Sequence, residues 1–160
     1  MTTSTFTVER TITVAAPPAT VYALLEDFRR WPAWSPWENL DPQMTRTYSG
    51  AERGTGAVYE WSGNRKAGQG RMQIVEAAPG DHVRIALAFD RPMSSNNDTR
   101  FTLQPDGDGT RVTWTMTGPR PLIMRVLGFV LSMDKLVGKD FEKGLAQLKA
   151  AAEAPGTGPG

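Results

Sequence analysis

From residue 43 to residue 118 the chain repeats one pattern: short runs with apolar residues at alternate positions, each closed by glycine, proline or aspartate. Such a period of two describes half-buried strands joined by tight turns, and it restricts the possible folds more than any other feature. QMTRTYS comes first. GAVYEWSG follows with Ala57, Tyr59 and Trp61 on one face, then KAGQGRMQIVEAA with Gly70, Met72 and Ile74. HVRIALAF places Val83, Ile85, Leu87 and Phe89 together, NDTRFTLQP Phe101 and Leu103, and TRVTWTMTG Val112, Trp114 and Met116. Pro79-Gly80-Asp81 and the DGDG run at 106–109 read as turns. Strands in hairpin succession are antiparallel, and one face of their sheet has to be covered.

The flanking segments supply the cover. Phe6, Val8, Ile12 and Val14 alternate as a further strand. Pro17 and Pro18 suit the first turn of a helix, whose apolar face is Val21, Leu24, Leu25 and Phe28 and which stops before Pro32. WPAWSPWENLDP, residues 31–42, holds three of the five tryptophans. Prolines 32, 36 and 42 exclude a long helix or central strand there, so these rings plug a core, line a pocket or face a partner. A short second helical turn fits part of that stretch. Residues 121–150 read as a long helix of roughly 45 Å, with Val137, Phe141, Leu145 and Leu148 as a stripe opposite Lys139, Glu142, Lys143 and Lys149. Two helices divided near Ser132–Lys135 are the alternative. The sheet must curve around the last helix, and Gly68 and Gly70 suit a bend. The expected architecture is α+β: one domain over residues 1–150, then a disordered tail over 151–160 ending in APGTGPG.

Composition removes several function classes. Eighteen basic and seventeen acidic residues give a formal charge of +1, with no electrostatic footprint for nucleic acid. There is no cysteine and a single histidine, His82, so thiol chemistry and multi-histidine metal centres are excluded and neither metal nor cofactor is expected. His82 follows Gly80-Asp81 and reads as an exposed turn residue. DGDG lacks the glutamate that a calcium loop requires, and GTG at 54–56 precedes a strand, so neither is a ligand motif. MTTSTFTVER is not a signal peptide, and PLIMRVLGFVLSM (121–133) is too short to span a bilayer, so a cytoplasmic protein is expected. That apolar run has three readings: a lid, a homodimer surface or a membrane contact. The near-neutral charge and Arg125 argue against the membrane.

Four stretches carry a family resemblance. They are V-x-R-x-I-x-V-x-A-P-P-x-x-V-Y-x-L-L-x-D at 8–27, W-x-x-W-S-P-W-E at 31–38, Y-E-W-S-G-N at 59–64 and D-F-E-K-G-L-A-Q-L-K at 140–149. Over residues 5–150 the chain resembles the START/Bet v 1-like superfamily, in the polyketide cyclase/dehydratase and lipid transport group (SRPBCC). The resemblance implies a helix-grip fold, seven antiparallel strands around the last helix, with a cavity between them and the tryptophan segment beside its mouth. The superfamily spans carriers, receptors and enzymes, so fold alone assigns no function.

On this frame Trp37, Tyr59, Trp61, Met72, Phe89, Phe101, Trp114 and Met116 face inward, and Met124, Leu127, Phe129 and Met133 come from the helix. Methionine adapts to variable contents, and tyrosine and tryptophan bring polar tips to apolar walls, which suits a pocket for a hydrophobic small molecule. The alternative is an aromatase/cyclase- or dehydratase-like enzyme in the same cavity, with Glu38 or Tyr59 as acid–base group. Glu60 is out of phase with Tyr59 and Trp61 and is expected in solvent.

Overall fold

The computed structural model describes residues 5–36, 43–64, 68–91, 95–119 and 133–154. Seven strands are present: β1 Thr5–Val14, β2 Thr45–Gly50, β3 Ala57–Ser62, β4 Gln69–Ala78, β5 His82–Arg91, β6 Ser95–Asp106 and β7 Gly109–Pro119. They form one curved sheet in the order β1-β7-β6-β5-β4-β3-β2, every neighbouring pair antiparallel. The first strand therefore lies beside the last, Val8 opposite Met116 and Ile12 opposite Val112.

The turns follow from their residues. Gly107 takes φ 60° in the two-residue connection closed by the Asp106–Gly109 pair, a conformation that side chains with a Cβ disfavour. Pro79 and Gly80 (φ 71°) close the β4–β5 turn, with the Asp81 N–H donating to the Ala78 carbonyl at 2.9 Å.

Helix α1 (Pro18–Leu25) and a 3-10 helix (Phe28–Ala33) follow β1. One apolar face was expected of α1, yet Thr20, Tyr22 and Ala23 are buried together with Val21, Leu24 and Leu25. Eight residues touching β5, β6, β7, the 3-10 helix and the C-terminal helix leave almost no side open to water. Pro32 sits inside the 3-10 helix, whose looser bonding tolerates it.

Helix α2 (Met133–Glu153) lies chiefly along β1. Residues 121–132 of the expected long helix lie outside the described residues. At its other end α2 runs past residue 150, and the buried Ala152 makes residues 151–153 helix rather than tail. Phe141, Leu145 and Leu148 form the buried stripe that the spacing predicts. Arg10 of β1 donates through Nε to Glu142 at 2.9 Å, and the Ala15 N–H donates to Glu153 at 2.7 Å, so polar contacts tie the middle and the C-terminal end of α2 to the first strand and the residue after it.

Rings bind sheet to helix. Trp114 and Phe141 stack with centroids 3.9 Å apart and planes within 5°. Phe141→Ala is expected to destabilise the protein by about 3–5 kcal/mol, as truncation of a buried aromatic does. Urea unfolding followed by circular dichroism measures this, and a loss below about 1 kcal/mol would show that the stack is not structural.

Candidate functional site

Strand alternation sorts the side chains onto two faces. The concave face carries Val112, Trp114 and Met116 from β7, Asn97, Thr99, Phe101 and Leu103 from β6, Val83, Ile85, Leu87 and Phe89 from β5, Gly70, Met72 and Ile74 from β4, and Tyr59 and Trp61 from β3. Glu60 is exposed on the opposite face, as its phase predicts.

The aromatic residues form two runs, bridged by the buried Phe28, which meets Trp31 at 5.2 Å and Tyr59 at 5.8 Å. One is sealed: Trp31, Trp34, Phe101, Trp114 and Phe141 contact one another stacked, tilted or edge to face, and Trp34, Phe101 and Trp114 are at most 1% exposed. The Trp31 and Trp34 indole N–H groups donate to the Leu25 and Leu24 carbonyls, each at 3.1 Å. Of the three readings for the tryptophan segment, these two rings take the first and plug the core.

The second group runs across β2 to β5. Tyr48 meets Tyr59 at 5.3 Å, Tyr59 stacks on Trp61 at 6.0 Å, and Trp61 meets Phe89 edge-on at 5.7 Å. Tyr59 is buried, whereas Tyr48, Trp61 and Phe89 are only partly covered. Met72 lies between Tyr59 and Leu87 across the strands. Gly70 seats the Trp61 ring: a Cβ there would lie 2.5 Å from Trp61 Cη2 and 2.6 Å from the Ala88 carbonyl oxygen.

Tyr59, Trp61, Met72 and Phe89 of the expected lining residues are thus brought together. Phe101 and Trp114 belong to the sealed stack, with Met116 buried beside them on β7. Trp37, Met124 and Leu127 lie outside the described residues, as do Glu38 and the side chain of Met133. Tyr48, Leu87, Asn97 and Thr99 were not expected to matter. Alternation puts Tyr48 and Leu87 in phase with the lining residues, and Asn97 and Thr99 share the phase of Phe101 and Leu103 in the expected strand NDTRFTLQP, where a polar residue by itself signals nothing.

The charged strand residues described on the concave face are the cations Arg10 and Arg46, opposite Trp114 and Trp61. Among the described strand residues directed there, none is Asp, Glu or His. Tyr22 of α1 is pushed up to about 12 by burial and by Glu26, so it stays neutral near pH 7. Thr99 Oγ1 is fully shielded with no hydrogen-bond partner among the described residues. No group of three or more His, Asp or Glu among the described residues is placed to hold a metal ion. No described helix is long and apolar enough to cross a membrane.

The opposite face is polar. Its open groove of about 470 Å³ is lined by threonines 102, 113, 115 and 117 with Glu9, Asp98, Arg100 and Gln104. These groups satisfy neighbours: Thr115 donates to Glu9 at 2.9 Å and Arg84 to Asp98 at 2.8 Å.

The model of the family described as polyketide cyclase / dehydrase and lipid transport matches residues 5–153. The chain belongs to this family. CV1439 from Chromobacterium violaceum is similar in structure, with a TM-score of 0.67 at 20% identity over 92% of this chain and 97% of that one. The Aha1 dimer from Colwellia psychrerythraea gives 0.66 at 19% over 96% and 99%. Ara h 8.0201 gives 0.61 at 13% over 93% and 98%. At such identities the likeness is one of fold, that of the START/Bet v 1-like superfamily. No curated protein sequence matches the chain.

His82 differs from its expected part. It is the first residue of β5, half-buried, with Nδ1 2.6 Å from Asp81 and Nε2 2.6 Å from Glu76. The Asp81 hydrogen bond raises its pKa above the ordinary 6.5, Glu76 adds to this, and partial burial opposes it. A raised folded-state value means that the stabilisation is complete below the unfolded pKa of about 6.5 and is lost as pH rises through the folded value. The lone histidine gives one pair of imidazole C–H signals by NMR, whose titration midpoint is expected above 6.5 and lower in Asp81→Asn. A midpoint at or below 6.5 in the parent protein would refute this pairing of His82 with Asp81 and Glu76.

Proposed function

We propose that the protein binds an apolar or aromatic small molecule, lipid- or polyketide-like, on the concave face between the sheet and its C-terminal helix. The observation that carries this is the unequal burial of the rings. Trp31, Trp34, Phe101, Trp114 and Phe141 are sealed against one another, whereas Tyr48, Trp61 and Phe89 keep part of their surface open. A sheet that only needed a core would close both groups alike. Apolar surface withdrawn from water yields ~25 cal/mol per Å², enough for micromolar binding without charged contacts.

A binding role is favoured over a cyclase- or dehydratase-like reaction by the chemistry of that face. Acid–base catalysis needs a group that exchanges protons near neutral pH. The described strand residues of the concave face offer hydroxyls, an amide, indoles and the guanidiniums of Arg10 and Arg46, which stay protonated near neutral pH, with no carboxylate or imidazole. Family membership agrees with a hydrophobic ligand.

Native mass spectrometry of the purified full chain is expected to show a co-purified small molecule. Titration with the dye 1-anilinonaphthalene-8-sulfonate is expected to show saturable binding, weakened about tenfold in Trp61→Ala through loss of ring contact. Thr7→Val, on the outer face, should bind like the parent. Unchanged dye affinity in Trp61→Ala would overturn the assignment of the site.

A further inference from the structure

A buried hydroxyl is costly unless it is hydrogen-bonded, and such groups in native proteins nearly always are. Thr99 Oγ1 is shielded from solvent and has no partner among the described residues. It lies mid-strand on the concave face of β6, between Ile85 of β5 and Met116 of β7. Two residues away on the same face is the buried Asn97, opposite Leu87. The Asn97 amide holds its place because residue 118 is glycine: a Cβ there would lie 2.0 Å from Asn97 Oδ1. Two polar side chains thus sit side by side in a wall of Ile85, Leu87 and Met116. From Leu87 that wall continues along β5 to Phe89 and its partner Trp61.

A solid apolar core gains nothing from a threonine there, since valine has the same shape without the cost. We infer that Thr99, with Asn97 beside it, is the polar anchor of the proposed binding face and donates a hydrogen bond to an oxygen of the ligand. Met116, directly across from Thr99, is the side chain that moves to admit that oxygen, and a methionine changes rotamer easily. The ligand class is thereby narrowed to an apolar or aromatic body carrying a carbonyl or ether oxygen, as against a bare hydrocarbon. This inference rests on the concave face being the ligand site.

Two probes of nearly equal shape separate the questions: 2-acetylnaphthalene, which has a carbonyl acceptor, and 2-ethylnaphthalene, which has none. Binding to the full chain is read by quenching of tryptophan fluorescence. The parent protein is expected to hold the ketone about 3- to 10-fold more tightly than the hydrocarbon, the worth of one neutral hydrogen bond. Thr99→Val should keep its affinity for the hydrocarbon and lose the preference, and Thr99→Ser should keep the preference. If Thr99→Val does not fold by circular dichroism, Thr99→Ala takes its place. Equal binding of the two probes by the parent, or a preference that survives loss of the hydroxyl, overturns the anchor while leaving the binding site standing. Failure of both probes to bind removes the site and the anchor together.

Discussion

Two indole N–H groups decide how this chain closes. Helix α1 ends inside the protein, and the last carbonyls of a helix have no partner within it. Trp31 and Trp34 reach back and satisfy Leu25 and Leu24. An unpaired buried carbonyl would cost about 1–3 kcal/mol, so the bonds permit this end of α1 to be buried at all. They also fix both rings where they meet Phe101, and through Trp34 the stack continues to Trp114 and Phe141 of α2. A short proline-broken stretch thereby joins helix, sheet and C-terminal helix in one aromatic column.

The other end of the concave face carries further rings. Tyr59 and Met72 belong to the same core cluster, and Tyr48, Trp61 and Phe89 pack against it while staying partly open. Tyr48, Tyr59, Trp61 and Phe89 form a second run, and Gly70 gives Trp61 room to lie across β4. The polar outer face matches threonine with threonine and cation with carboxylate, as at Thr11–Thr113 and Arg84–Asp98. Its groups are occupied with each other.

Much of this was legible beforehand, for definite reasons. Alternation fixes which face a strand residue takes, and Gly80 and Gly107 mark turns because their backbone angles exclude most other residues. Alternation does not say how far a residue stands from the elements that cover the sheet. Trp61 and Trp114 have equal phase, yet Phe141 seals Trp114 while Trp61 stays partly open. Nor does spacing reveal that α1 is buried on nearly all sides, which depends on what closes around it. The indole–carbonyl bonds join residues six and ten positions apart in an irregular segment, where no period exists to read. Thr99 was passed over because a lone threonine in a strand signals nothing until its surroundings are known.

The pairing of β1 with β7 also governs how the molecule is made. Val14 lies opposite Thr110, and α2, which packs chiefly on β1, follows later still. During synthesis the first strand waits for about a hundred further residues before its neighbour exists, roughly 5–20 s at ordinary elongation rates. Pairings this distant in sequence form slowly. Through that interval a nascent strand carrying Phe6 and Val8 has no native sheet edge to join.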